Sequence, residues 1–398
     1  MSNAFSQMLA HPQASQHLGA QAVLRAMLRL EREMVLAQAD LGLVSKEHAQ
    51  AVAACCSHCG DHLDADRLVA QAAAAGSLAI PLVNALKATV REREPAALGA
   101  THLGATSQDL IDTALSLQGR EVLALIDREV QRALQAIVRL KRQQGSAPLL
   151  ARTLMQSAAP TVLEARLLNW ALPLQRARER LHASAQLAFT LQLAGAVGDG
   201  AAWGAQAVAL REAVAQRLSL PLHPWAWHAQ RDEGARLAAE LGVLVGALAK
   251  VGLDVALMSQ AEVDELQESA AAGRGGSSAM PHKRNPVGAM VALSAVQRAP
   301  QRVAAVIASM ASPHERGLGQ WQAEGAELAE LLIITAAAAS AMADALEQAT
   351  VNPQNMLRNL QGFHRASGVP PRADDAPVSG LDLERERLWT ELTRAVNP

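Results

Sequence analysis

Thr106-Ser107-Gln108-Asp109 opens a run that continues to about Gln144 without proline and with Gly119 as its interior glycine. A hydroxyl side chain followed three residues later by an acid is the pattern with which a helix closes its first turn, here in its aspartate form. Behind it apolar residues recur at the spacing of an amphipathic helix. At 1.5 Å per residue the helix is roughly 50 Å long, far above the average, and belongs in a long bundle. The chain supplies companions at about 160 to 194, 201 to 217, 232 to 267, 286 to 310 and 322 to 348. The expected architecture is all-α, an elongated bundle of long helices.

Composition agrees. Of 398 residues 50% are hydrophobic and 19% charged, which is a globular balance and excludes disordered and fibrous classes. Aromatic residues are 2% with no tyrosine, so little material remains for strands. Before the long run, Val23, Leu24, Met27, Leu28, Leu30, Met34 and Val35 alternate with Arg25, Arg29, Glu31 and Arg32, an amphipathic helix that Gly42 ends. Residues 47 to 98 hold shorter helices broken near Gly60, Gly76 and Pro81, and a loop runs from Pro95 to Gly104. A helical N-terminal domain over 1–105, a central bundle over 106–350 and a short C-terminal segment over 351–398 are expected. In that last segment residues 361 to 381 read as loop and only Leu383 to Ala395 as helix.

Charge excludes other classes. Lys plus Arg is 36 against Asp plus Glu 38, so no field suited to nucleic acid or an anionic membrane exists globally. The weakly charged stretch Leu181 to Gly198 carries His182, Ser184, Gln186, Thr190 and Gln192, so no membrane helix is expected. The start, Met1 to Phe5, has no signal-peptide character, and a cytoplasmic location is expected. Cys55, Cys56, His58, Cys59 and His62 lie together, but a structural zinc site draws its second ligand pair from a distant segment and none is present. Buried reduced thiols are the expectation, with no metal.

The least ordinary stretch is Gly273-Arg274-Gly275-Gly276-Ser277-Ser278-Ala279-Met280-Pro281-His282-Lys283-Arg284-Asn285-Pro286, between two long helices. Exposed backbone N–H groups, two hydroxyls and clustered cations make it an anion site. It is not a P-loop, because Lys283 neither follows glycine nor precedes Ser or Thr. His102 precedes the Thr106 cap, and Ala151-Arg152-Thr153-Leu154-Met155-Gln156-Ser157-Ala158-Ala159-Pro160 leads into the next long helix, with Pro160 suited to its first turn.

Together these three stretches resemble the three signature regions of the fumarase/aspartase superfamily, in order, over about residues 20 to 350. The loop matches Gly-Ser-Ser-x-Met-Pro-x-Lys-x-Asn-Pro at every fixed position, and Ala105 to Asp109, Trp227 to Asp232, and His314-Glu315-Arg316 with Gly319 to Glu324 resemble the superfamily's cycloisomerase branch. Where the amine-eliminating members carry a histidine after Arg-Thr and a glutamate five residues after the signature Asn, this chain has Leu154 and Met290. A cycloisomerase tolerates both losses, because the substrate's own carboxylate is the nucleophile.

The resemblance implies cofactor-free addition of a carboxylate across a conjugated double bond of a small polycarboxylate. It implies that Ser277 carries the proton, activated by Lys283 and backbone N–H groups, and that His102 orients a carboxylate or assists proton transfer. Thr106, Ser107, Lys283 and Asn285 are the implied donors to the intermediate, and Arg152, Arg231 and Arg316 the implied carboxylate partners. Gln108, Thr153, Gln156, Ser278 and Met280 complete the implied substrate-binding set. A homotetramer whose subunits share each site is implied too; as a departure from the family's pattern, the small third helical domain is expected to be abbreviated after Val351. The alternatives are a C–N lyase of the adenylosuccinate type and a silent structural paralogue.

Overall fold

The computed structural model describes residues 4–268, 275–280, 282–371 and 380–396. The helices among them are α1 Ala4–Met8, α2 Pro12–His17, α3 Ala20–Asp40, α4 Lys46–Asp61, α5 Ala65–Ala75, α6 Ala79–Arg93, α7 Ser107–Gln144, α8 Leu163–Ala188, α9 Ala207–Leu218, α10 Asp232–Met258, α11 Val287–Ala308, α12 Gln320–Glu347, α13 Pro353–Ser367 and α14 Asp382–Val396. Strands β1 Pro148–Thr153 and β2 Gln156–Val162 form a hairpin, and β3 Leu266–Gln267 pairs with β4 Thr350–Val351.

Two cores follow from where the apolar stripes meet. Leu24, Met27, Leu30 and Met34 of α3 pack with Val52 of α4, Leu82 and Leu86 of α6 and the first turns of α7. Leu191, Leu193, Trp203, Leu210, Val214 and Leu218 from mid-chain join the same core. Cys55 and Cys56 are buried in it, and burial pushes the Cys56 thiol well above its ordinary value. The second core is the bundle of α7, α8, α10, α11 and α12. Helices α10 and α12 are long and apolar enough to cross a membrane, unlike 181–198, and their bundle neighbours bury 50% and 61% of their most apolar stretches.

The capping box at Thr106 and Asp109 forms, and α7 runs for 38 residues, which at 1.5 Å each is about 57 Å. Gly119, the interior exception, has a packing reason: a Cβ there would lie 2.3 Å from Cζ of the buried Phe189 ring. Gly119→Ala gains helix propensity yet overpacks this contact, so a net loss of about 1–3 kcal/mol is expected, read from the urea unfolding midpoint.

Three expectations are corrected. Residues 148–162 form a hairpin, not a loop, and Pro160 pairs with Leu150 inside β2, while α8 starts at Leu163. The turn, Leu154-Met155, holds both residues at positive φ (50° and 65°), the backbone that a two-residue hairpin demands. The long segment expected to Gln267 stops at Met258, where a turn carries the chain to β3. Residues 361–367 belong to α13, which Asn352 caps, Pro353 starts and Gly368 ends in the left-handed region. Helix α14 then seats Trp389, Leu392 and Val396 in the bundle core.

Candidate active site

The loop before α7 is clamped. The Leu103 carbonyl accepts from Gln38 Nε2 (2.8 Å) and Trp203 Nε1 (3.0 Å). Gly104 has φ 83°, and a Cβ on it would lie 2.4 Å from Trp203 Nε1. Asp109, fully buried, accepts from the N–H groups of Thr106, Ala194 and Gly195, each at 3.0 Å, and lies 2.8 Å from His228 Nε2. It fastens the 194–195 loop to the cap. Arg316 donates to the neighbouring Ala196 carbonyl (2.8 Å), so it joins His102, Thr106 and Ser107 at this end. His102 itself is at φ 59°, and its Nδ1 meets Glu31 Oε1.

Two residues of the expected binding set lie in the interior. Gln108 is fully buried and its amide nitrogen donates to Asp112 (3.1 Å) and the His228 carbonyl (3.0 Å), tying the first turns of α7 to the segment before α10. Arg231 caps α10 and is also buried. Its Nη atoms reach Asp112 at 2.8 and 3.1 Å, and its Nε and Nη2 reach Glu324 at 2.6 and 3.0 Å. The Trp227 ring covers one guanidinium face at 4.9 Å. Both hydrogen-bonding edges are filled, so Arg231 is a structural cation pinning the starts of α7, α10 and α12. Burial alone would lower its pKa; Asp112 and Glu324 outweigh this and hold it above the ordinary value.

At the other end, the hairpin presents Arg152, whose Nη1 and Nη2 grip the fully buried Glu265 carboxylate at 3.0 and 2.9 Å. Asn359 of α13 donates to the same carboxylate (2.9 Å). This bidentate pair fixes Arg152 while leaving its side chain a quarter exposed. Thr153 and Gln156 are the exposed closing pair of the hairpin.

The signature loop folds on itself. Asn285 N donates to Gly275 O (2.8 Å), Asn285 Nδ2 to Gly276 O (3.2 Å) and Lys283 N to Met280 O (3.0 Å). Gly275 has φ 68°, and a Cβ there would lie 2.5 Å from Asn285 O. The half-buried Ser277 hydroxyl oxygen accepts from the N–H groups of Met280 (3.1 Å) and Ala279 (3.4 Å). Two aligned N–H dipoles stabilise an oxygen that takes on negative charge. Ser278, Met280 and Lys283 are exposed beside it. Lys283, Arg284 and Asn285 border an open cleft of about 780 Å³ that Gln260, Asp264 and Glu268 also line. Gly273, Arg274 and Pro281 lie outside the described residues.

The residue set thus falls into two groups at opposite ends of the bundle. His102, Thr106, Ser107 and Arg316 gather where α7 starts; Arg152, Ser277, Lys283 and Asn285 lie beyond the far ends of α7 and α10. Those helices, of 38 and 27 residues, separate the groups by about 57 and 40 Å of rise. The buried carboxylates Asp112 and Glu265 were absent from the sequence expectation, and Glu31 entered it only among the charged positions of α3. Glu31 alone left a signal there: it sits among Leu24, Met27, Leu28 and Met34, on the face that packs, where a charge is out of place unless paired.

A family profile described as lyase matches residues 9–300. The 3-carboxy-cis,cis-muconate cycloisomerase of Pseudomonas aeruginosa is 40% identical over 341 residues, 86% of this chain and 74% of its own length. The nitrosuccinate lyase of Streptomyces davaonensis is 37% identical over 348 residues, 85% of this chain and 72% of its own. The solved 3-carboxy-cis,cis-muconate lactonizing enzyme of Pseudomonas putida superposes with a TM-score of 0.86 at 34% identity, covering 99% of this chain and 87% of that one. With the three regions in order, the Gly276 to Pro286 signature complete and the same long-helix scaffold, the chain belongs to this lyase family, the fumarase/aspartase superfamily.

Proposed function

We propose that the chain is a 3-carboxy-cis,cis-muconate cycloisomerase, forming 4-carboxymuconolactone in the β-ketoadipate route of aromatic catabolism, in the cytoplasm. The observation that carries this is Ser277, its oxygen backed by two N–H groups beside a cleft bordered by Lys283, on a chain that places Leu154 and Met290 where an amine-releasing lyase needs acid–base side chains. A substrate carboxylate oxygen adds to the β-carbon of the conjugated acid. The displaced electron pair moves onto the second carboxylate as an enediolate, and the Ser277 hydroxyl delivers its proton to the α-carbon. No atom leaves and no redox change occurs. Lys283 and Asn285 offset the added charge, and Arg152 and Arg316 hold the remaining carboxylates.

The active unit is a homotetramer in which each site takes regions from different subunits. Two features of the chain support this: the separation of the two residue groups, and Leu154 and Met155, which sit 97% and 69% exposed on a turn of positive φ. An apolar, conformationally costly tip finds a reason in a neighbouring subunit. Mixing the strongly impaired His102→Gln and Ser277→Ala proteins under subunit exchange should restore about a quarter of wild-type activity, the chance that both contributors to a site are intact. A mixture no more active than its components would point to a site within one subunit.

The nitrosuccinate lyase relative keeps a C–N lyase reading in view. Purified protein offered 3-carboxy-cis,cis-muconate, nitrosuccinate or adenylosuccinate separates the two. Loss of the diene absorbance with the first alone is the expected result, and turnover of either other substrate alone reverses the assignment.

A further inference from the structure

We propose that Glu31 is a positioning residue for His102, the two side chains forming a carboxylate–imidazole pair that supplies the second acid–base group of the reaction. The inference rests on the cycloisomerase reading and deepens it, since Leu154 and Met290 leave that group unassigned.

Glu31 lies mid-way along α3, 1% exposed, with Met27, Leu28 and Met34 buried around it. Its Oε1 meets His102 Nδ1, and its Oε2 has no hydrogen-bond partner among the described residues. The adjacent Arg32 pairs with Glu33 instead, and Arg217 of α9 with Glu33 and Asp40. A buried carboxylate whose one polar partner is an imidazole is expensive to keep unless the pair acts together. The loop is built to hold the ring there: His102 takes a left-handed backbone, Leu103 is clamped through its carbonyl by Gln38 and Trp203, and Gly104 is fitted against Trp203. With Nδ1 turned to Glu31, Nε2 is the nitrogen without a partner in the described chain, and the ring keeps 16% exposure.

The chemistry follows from the tautomer. A carboxylate accepting from Nδ1–H leaves Nε2 to take up and release the working proton, and steadies the imidazolium that carries it. In the cyclising direction Ser277 gives a proton to carbon; Nε2 of His102, from another subunit, takes a proton from solvent to become imidazolium, passes it to the serine oxygen and returns to the Nδ1–H tautomer. In lactone opening the same transfers run in reverse.

Glu31→Leu suits the apolar surroundings and removes the acceptor; Glu31→Gln keeps shape and hydrogen bonding without charge and serves if the first fails to fold. Expected is a fall in kcat of about tenfold or more with KM within about threefold and the melting midpoint preserved. The double variant with His102→Gln should lose no more than His102→Gln alone, because Glu31 acts only through the ring. Independently of activity, 15N spectra of histidine-labelled protein should show the signal that His102→Gln removes as the Nδ1-protonated tautomer, and Glu31→Leu should abolish that tautomer. Losses that multiply in the double variant, or a tautomer indifferent to Glu31, would overturn the pairing. Wild-type protein inert toward 3-carboxy-cis,cis-muconate would defeat the cycloisomerase reading instead, and the tautomer result would still decide the pair.

Discussion

Ser277→Ala should leave assembly and melting behaviour intact while turnover of 3-carboxy-cis,cis-muconate falls by orders of magnitude. Stability is spared because the Ser277 side chain is half-buried and its hydroxyl bonds stay within its own loop, accepting from Ala279 and Met280. Removing a half-buried, local acceptor leaves two N–H groups to water and little else. Activity is not spared, because on the proposed mechanism the hydroxyl moves the proton, and loss of a proton-transfer group removes a factor of about 10²–10⁴ or more. The loss should fall on kcat rather than KM, since Arg152 and Arg316, the proposed partners of the carboxylates, are untouched. Steady-state kinetics beside size-exclusion chromatography checks both halves; near-normal turnover would remove Ser277 from the mechanism.

Arg231→Met should destabilise the fold by about 3–5 kcal/mol, the range for breaking a buried ion pair by removing one partner. The substitution leaves Asp112 and Glu324 buried with no cation between them, at the point where α7, α10 and α12 begin. Burial already holds the Glu324 carboxyl above its usual value, and Arg231 is the group that opposes this. With Arg231 gone, the native state binds a proton here more readily than the unfolded chain does. The variant should therefore gain stability as pH falls toward the carboxylate range, relative to wild type. Adding Asp112→Leu and Glu324→Leu to the same chain should recover most of the loss, because an apolar replacement of a whole buried ion cluster is often neutral or better. Urea midpoints for the three proteins at two pH values test this. A single variant as stable as wild type would mean that Arg231 is solvated and free to serve a ligand after all.

The long helices were legible because their signals are local. Thr106 and Asp109 are three residues apart, and each bundle helix declares its buried face by periodicity. The signature loop was legible for a similar reason: Gly275, Ser277 and Asn285 mark a self-bonded turn whatever surrounds it. The hairpin was not, because its turn is Leu154-Met155, residues that usually avoid the left-handed region, and tertiary context overrides that preference. Helix α13 did leave signals, in Asn352, Pro353 and Gly368, which the nearby Pro, Ser and Gly content obscured. That Gln108 and Arg231 are buried was not legible, because a motif names residue types without saying which side of a helix end faces the interior. For Arg231 the deciding partners, Asp112 and Glu324, lie 119 and 93 residues away in sequence. The same distance problem hid Glu265 behind Arg152 and Glu31 behind His102.

The most direct measurement is turnover of 3-carboxy-cis,cis-muconate in D₂O, with the product read by NMR. Protonation at carbon through Ser277 predicts a lactone carrying one deuterium on the carbon next to the enediolate carboxylate, formed by wild-type protein and not by Ser277→Ala. Unchanged diene beside a well-folded wild-type protein, or the same deuterated lactone formed equally well by the alanine variant, would contradict it.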